Sequence, residues 1–317
     1  MNIKQIKTKQ DIARASEISL VMHNGLRKSL PFLPERKAED FFPRIEYMVG
    51  EGEVFGLEKD GDLYAFTGYF VIEDFRNAGP GAYTPDWCHG IMPGNDRTRV
   101  YRFLQREILE RVYNRNVRLH CCSVYASDPD IIELHNLCGY GRIVMDAAVP
   151  IAELEKSLHG ISASVYEIRE AVGADAAALA GLSEKLAGHI GASPVLMPET
   201  HSETLSEWEE WLADDDSLCI LVSDHDKAIG YLRGEAPQFD VTYSVHHDDI
   251  LGINGLWIGP DHRGRGLASA LLSVFTKLSR SKGKTVLSVD CETLNPEAYG
   301  FWTRYFRPVA YGMERRF

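Results

Sequence analysis

The sequence predicts an α/β protein built as a tandem repeat of one domain, and three observations carry that prediction. Strand-like and helix-like patterns recur in the same order in the two halves of the 317-residue chain. Each half holds a hairpin-like pair of apolar runs separated by turn residues. The later parts of the halves also overlay without a gap, because Pro93 and Pro260, Leu104 and Leu271, and Pro129 and Pro296 share one spacing. The expected division is 1–150 for the first domain, 151–164 for a linker around "PIAELEKSLHGISAS", and 165–317 for the second.

Taken in order, the first half opens with a strand, "NIKQIKT", followed by a helical segment. An amphipathic helix, "EDFFPRIEYMV", leads to the strand pair in "EVFGLEKDGDLYAFTGYFV". The second half repeats the series with "VYEIREAV", the helix "GADAAALAGLSEKLAGHI", the helix "SETLSEWEEWLA" and the pair in "SLCILVSDHDKAIGYLRGEA". "INGLWIG" then reads as a buried strand that Pro260 ends. Leu267, Leu271, Val274, Phe275 and Leu278 recur at helical spacing after it. Val286–Cys291 alternates like a strand. Asn295 is placed to cap a further helix with Pro296 at its first position.

Apolar residues make up 44% of the chain and charged residues 25%, as expected of a soluble globular protein. The polar start "MNIKQIKTKQDIARA" has no signal-like apolar core, and no run is long enough to span a membrane, so a cytoplasmic location is expected. Cys88, Cys121, Cys122, Cys138, Cys219 and Cys291 include no CxxC pair and are expected to be reduced thiols. A formal net charge of −12 argues against a nucleic-acid partner, which needs clustered basic residues. "HHDD" (His246–Asp249) has no further ligands at helical or strand spacing and reads as a solvated loop, so no metal is expected.

The most informative stretch is "GPDHRGRGLASALL", Gly259 to Leu272. A strand, a turn and a helix in sequence point the unbonded N–H groups of the first helical turn outward, ready for an anion. Gly264 and Gly266 allow close approach of a phosphate, and Arg263 and Arg265 add charge-assisted donors. The lysine and hydroxyl of a nucleotide-triphosphate loop are missing, and the spacing is not GxGxxG. The pattern R-x-x-G-x-A, together with the downstream "KTVLSVDCETLNPEAYGFWTRYF", resembles the GNAT superfamily of acyl-CoA-dependent N-acyltransferases.

That resemblance implies two domains, each a mixed, mostly antiparallel twisted sheet flanked by helices, with the fourth and fifth strands splayed apart. It implies acetyl-CoA as co-substrate, its pantetheine pairing with Leu256, Trp257 and Ile258. Its pyrophosphate would lie on the turn Arg263, Gly264, Arg265, Gly266, Leu267 and Ala268, with Asn295 and Trp302 beside the arm. The chemistry implied is attack of a neutral amine on the thioester, with backbone N–H groups near Ile258 holding the oxyanion. The family often places a proton-donating tyrosine where this chain has Trp302. Tyr299 and Tyr305, three residues either side, are the alternative acids, and Glu235, Asp290 and Glu292 the candidate bases.

Over the glycine turn the first half has Asp96, Arg97, Thr98, Arg99, Val100 and Tyr101, without a glycine. "LHNLCGYG" keeps the later pattern, with His135 in the place of Trp302 and Gly139-Tyr140 where a Gly-Phe pair is usual. The expectation is a kept scaffold with a lost coenzyme site, and therefore one active site, in the C-terminal half. The loop Arg76–Gly90 is a candidate for the acceptor pocket or a plain surface connection. The reading is acetyl transfer to the amine of a small molecule or peptide. The alternatives are a non-catalytic acyl-CoA sensor and an interaction protein. The acceptor and the oligomeric state have no sequence signature.

Overall fold

A computed structural model describes residues 2–161, 165–197, 200–238 and 241–317. Residues 162–164 of the expected linker, like residues 198, 199, 239 and 240, lie outside the described residues. Contacts divide the chain into two units. The first is Met1–Met145 with Thr242–Ser244 and Pro308–Phe317, and the second is Asp146–Val241 with Val245–Arg307.

The first unit runs β1 (Asn2–Gln5), α1 (Lys9–Ser29), α2 (Ala38–Glu51), β2 (Glu53–Lys59), β3 (Asp62–Ile72), β4 (Gly81–Thr84), β5 (His89–Ile91), α3 (Arg97–Asn114), β6 (Leu119–Tyr125) and α4 (Pro129–Leu137). Then follows the start of β7 (Gly141–Pro150). A short helix, α5 (Ile151–Ser157), occupies part of the expected linker. The second unit continues with β8 (Glu167–Glu170), α6 (Ala176–Gly191), α7 (Leu205–Leu212), β9 (Leu218–Asp224), β10 (Lys227–Glu235), β11 (Ile250–Ile258), α8 (Leu267–Ser281), β12 (Val286–Glu292) and α9 (Pro296–Tyr305). The last strand, β13 (Arg307–Arg316), falls almost wholly in the first unit.

Each unit's sheet is mixed and mostly antiparallel. In the first the order is β1-β2-β3-β4-β6-β13, with β5 also on β3; β4 and β6 pair in parallel and the other pairs along this order are antiparallel. In the second the order is β12-β11-β10-β9-β8, with β11 and β12 parallel. Alternate apolar residues of the strands meet the apolar stripes of helices. Ile12, Ala15 and Ile18 of α1 pack with Phe41, Ile45 and Met48 of α2 and with Val54, Leu63 and Phe66. In the second unit Leu179 and Leu182 of α6 and Trp208 of α7 pack on Leu221, Tyr231 and Trp257.

Helix α8 buries more than the expected stripe. Leu267, Leu271 and Phe275 are buried, Val274 and Leu278 only half so, and Thr276 and Ser279 are fully enclosed. Both hydroxyls donate to carbonyls one turn back, Leu272 O at 2.6 Å and Phe275 O at 2.8 Å, which removes the cost of an unpaired buried polar atom. All six cysteines are free thiols.

The first unit encloses a polar network. His120 shares hydrogen bonds with Tyr140 Oη (2.6 Å) and Thr84 Oγ1 (3.0 Å), and His135 Nδ1 donates to Ile131 O (2.8 Å). Burial pushes the imidazolium pKa down to about 3 for His120 and about 4 for His135. Because both values lie below the unfolded value of 6.5, the stability that neutral burial supplies is complete above pH 6.5. It is lost as the pH falls toward the folded values. Between pH 6.5 and 5, above the carboxylate range, the unfolding free energy should decline by up to about 1.4 kcal/mol per pH unit for each histidine. Denaturant titration at several pH values measures it. A flat profile in that window would contradict neutral burial, and His135→Gln should reduce the slope.

The unit boundary has a second measurable consequence. β13 pairs with β6 from Ala310–Tyr125 to Arg316–Leu119, burying Val309, Ala310 and Met313. A chain cut to residues 165–317 carries β13 without β6, leaving an unpaired apolar strand. It should aggregate on expression where the full chain stays monodisperse by light scattering. A soluble, cooperatively folding 165–317 would show that β13 does not need β6.

Candidate active site

In the second unit β11 and β12 are paired from Ile250–Val286 only as far as Ile253–Val289. Beyond that register the strands part, while β11 stays paired with β10 to Ile258. The Gly259 N–H donates to Ile229 O at 2.8 Å, so the alternation of an antiparallel ladder turns the N–H and C=O groups of Leu256 and Ile258 away from β10 and into the gap. The gap opens into a cleft of about 570 Å³.

The glycine turn stands at the end of this strand. Pro260–His262 form a 3₁₀ turn, and Gly264 and Gly266 then take left-handed φ values of +73° and +79°. A side chain on either would strain the backbone, and no atom lies within 4 Å of where a Cβ would sit. Gly266 caps α8, whose first intrahelical bond runs from Ala270 N–H to Gly266 O (3.0 Å). The N–H groups of Leu267, Ala268 and Ser269 therefore have no helical acceptor, and the positive end of the helix dipole reinforces them. The turn is thus a helix N-terminus without a side-chain cap, the kind of end that receives anions.

Most of the expected coenzyme contacts come together here. Leu256, Trp257, Ile258, Arg263, Gly264, Ala268, Asn295 and Trp302 line the cleft, with Asp290 and Glu292 on the β12 side. Arg265, Gly266 and Leu267 do not line it. Leu267 is buried in the α8 core, and Arg265 turns outward to Tyr166 Oη (3.0 Å). Arg263 lies over the Trp257 ring (4.8 Å), donates from Nε to Ile258 O (3.0 Å), and pairs with Glu297 at 2.6 Å. Asn295 caps α9 by accepting from the Ala298 N–H at 3.1 Å.

The candidate acids and bases are spread more widely. Trp302 is buried, edge-on to Phe301 and Phe306. Neither Tyr299 nor Tyr305 lines the cleft, and the Tyr305 hydroxyl is hydrogen-bonded to Ser269 Oγ (2.9 Å). The chain leaves α9 at Phe306 in an extended conformation, without the glycine turn that Gly139 (φ +82°) provides after α4. Glu235 lies off the cleft but is joined to it. Its carboxylate accepts from Trp211 Nε1 (3.2 Å) and from Asn254 Nδ2, and Asn254 lines the wall at the bulge between β10 and β11.

Sequence reasoning missed one wall altogether. Leu186, His189 and Ile190 of α6, with Met197 after it, face the same cleft, and His189 meets Trp257 edge-on at 5.5 Å. The only trace in the sequence is an ordinary amphipathic stripe. "HHDD" serves the start of β11, where Asp249 O accepts from Thr285 N–H (2.9 Å) and His247 Nδ1 accepts from Asp249 N–H (3.2 Å). Among the described residues no three His, Cys, Asp or Glu side chains are grouped to hold a metal ion, and no helix is long and apolar enough to cross a membrane.

The corresponding place in the first unit is filled. Asp96 caps α3 with its own carboxylate, accepting from the Arg99 N–H (3.0 Å). Arg97 is paired with Asp128 (2.8 Å). His89 spans the strand gap by donating from Nε2 to Ser123 O (2.8 Å), and its Nδ1 accepts from Tyr101 Oη (2.9 Å). A void of about 20 Å³ is what remains between His89, Tyr101, Gln105, His120 and His135.

Comparison with known proteins agrees with this geometry. Residues 192–306 match the family model of the acetyltransferase (GNAT) family. The fold is similar to that of a GCN5-related N-acetyltransferase from Sphaerobacter thermophilus, with a TM-score of 0.62 at 14% identity, over 99% of this chain and 95% of that one. It is also similar to a tandem GNAT protein from the clavulanic acid biosynthesis pathway, at TM-score 0.51 and 11% identity, over 99% and 97% of the two chains. A GCN5-related glucosamine N-acetyltransferase region of a fungal multi-domain β-N-acetylglucosaminidase gives a TM-score of 0.55 at 12% identity, with 38% of that longer chain covered. No curated protein matches the sequence. The family match lies over the segment that carries the cleft, residues 192–306, and the fold of the chain is similar along its length to that of a tandem GNAT protein.

Proposed function

We propose that the protein transfers an acetyl group from acetyl-CoA to the amine of a small molecule or peptide, at a single site in the second unit. The observation that carries this reading is the parted β11–β12 pair, whose free edge at Leu256 and Ile258 ends in an open glycine turn. An acyl-pantetheine arm would add to that edge as a strand does, its amides meeting the N–H and C=O of Leu256 and the N–H of Ile258, while the cradle at Gly264–Ala268 takes the diphosphate.

The chemistry then needs little from side chains. The amine nitrogen attacks the thioester carbonyl carbon, the carbonyl oxygen gains charge, and the C–S bond breaks to release thiolate. The inward-facing N–H of Ile258 is the donor offered to that oxygen. Asp290 and Glu292 line the cleft and Glu235 is linked to it through Asn254, which supports these three as the candidate acceptors of the amine proton, directly or through water. A thiol with a pKa near ~8.5 leaves readily without a dedicated acid. That chemistry accommodates Trp302 in the tyrosine's place.

Calorimetry with acetyl-CoA should saturate at one equivalent per chain, with binding confined to the second unit. Gly266→Ala and Gly266→Glu both carry the left-handed backbone cost of about 1–2 kcal/mol. Only the second sets a carboxylate against the diphosphate. Binding should weaken in the first and vanish in the second, with both still folded by circular dichroism. A stoichiometry near two, or residual binding in folded Gly266→Glu, would overturn the assignment.

The sensor reading has one observation in its favour, the commitment of Tyr305 to Ser269 rather than to the cleft. Release of free thiol with an amine panel separates it from catalysis. If the thiolate leaves unaided, Tyr305→Phe and Tyr299→Phe should each keep turnover within about fivefold of wild type. A fall of about 10²-fold in either would identify that tyrosine as the acid.

A further inference from the structure

The two arginines of the glycine turn diverge. Arg263 faces the cleft and is held by Ile258 O and Glu297. Arg265 points to the outer rim, where its Nη1 donates to Tyr166 Oη at 3.0 Å. The same hydroxyl lies 3.4 Å from His262 Nδ1, and the Tyr166 and His262 rings meet edge to face at 5.8 Å. None of these three residues lines the cleft. They come from two separated stretches, one just before β8 and one within the turn, so the cluster is made by the fold and not by local sequence.

Its chemistry is one-sided. Among the described residues Arg265 makes no ion pair, in a chain whose net charge is −12 and whose other turn arginine is tied to a carboxylate. A neutral phenol fixes the direction of the guanidinium without neutralising it. Among the described residues neither the guanidinium of Arg265 nor the imidazole of His262 is paired with a carboxylate, and the phenol that joins them is neutral. Such a set matches the oxygens of a dianionic phosphomonoester, which a guanidinium engages through paired N–H bonds.

We propose that Tyr166, His262 and Arg265 form a phosphomonoester site on the rim of the turn, and that it takes the ribose phosphate of coenzyme A. The proposal rests on the reading of Gly264–Ala268 as the diphosphate cradle. One ligand then spans both places, with its diphosphate on the backbone N–H array and its monoester on the rim. Tyr166 is a positioning residue that aims Arg265. The site would select free coenzyme A over its dephospho form, and over pantetheine carried on a protein, which has neither the second phosphate nor the nucleoside.

The test compares dissociation constants for acetyl-CoA and acetyl-dephospho-CoA in the wild type, Arg265→Gln and Tyr166→Phe. The wild type should prefer the phosphorylated form by about ten- to a hundredfold, the range of hydrogen bonds to a charged group. Arg265→Gln should collapse that ratio toward one while leaving the affinity for the dephospho form within about threefold. Tyr166→Phe should lower the ratio several-fold. A wild-type ratio near one, or a ratio that neither substitution changes, would overturn the rim site while leaving the cradle intact. Failure of the wild type to bind either coenzyme would instead remove the cradle reading, and the rim site with it. Inorganic phosphate identifies the source of the monoester. It should weaken the binding of acetyl-CoA more than that of the dephospho form, whereas stabilisation of the protein by phosphate with equal or no competition would mean that the rim does not take the monoester.

Discussion

The site depends on one interruption, the end of β11–β12 pairing after Ile253 and Val289. A buried strand edge with unpaired N–H and C=O groups is unfavourable unless something satisfies them, and most proteins close such an edge with another strand. Here β11 continues for another five residues, held to β10 on its far side across a bulge at Asn254. The bulge lets Asn254 turn its amide to Glu235, which connects a carboxylate behind the sheet edge to the cleft wall. The free edge, the cleft and the placement of Asn254 all follow from that one parting of strands.

The first unit shows the same scaffold with the gap filled by its own side chains. A carboxylate of the chain itself, Asp96, takes the helix N-terminus that is left without a side-chain cap in the second unit, and an N-cap side chain and a bound phosphate compete for the same N–H groups. His89 supplies a side-chain donor to the Ser123 carbonyl across the strand gap, and Tyr101 enters where Ala268 of the second unit leaves room. The filling is polar, so it stays favourable only while each histidine is neutral and paired. Desolvation of His89, like that of His120, favours the neutral form.

Much of this was legible in the sequence because it depends on local rules. Gly264 and Gly266 had to be glycines for their φ values, Asn295 and Pro296 announced the start of α9, and the missing glycines of 96–101 announced a closed helix end. What was not legible depends on distant partners. The expected boundary at 165–317 follows chain order, whereas the unit boundary follows contacts that place β13 beside β6. Nothing in "GLSEKLAGHI" distinguishes a stripe that lines a cleft from one that only covers a sheet, so Leu186 and His189 read as ordinary. The outward course of Arg265 depends on Tyr166, 99 positions earlier in the chain.

The acidic balance of the chain sharpens the meaning of the turn. A net charge of −12 sets an unfavourable background for any polyanionic ligand, but that field is screened beyond roughly 8–10 Å at physiological ionic strength. Within that distance the local arrangement decides. At the turn it consists of the free N–H groups of Leu267 to Ser269, the dipole of a fifteen-residue helix, and a guanidinium with no carboxylate partner among the described residues. The first unit offers the same helix end with Asp96 installed on it and Arg97 spent on Asp128. Two helix termini in one register therefore differ in sign at the point where a ligand's charge would arrive. The difference follows from which residue caps the helix, a left-handed glycine or an aspartate.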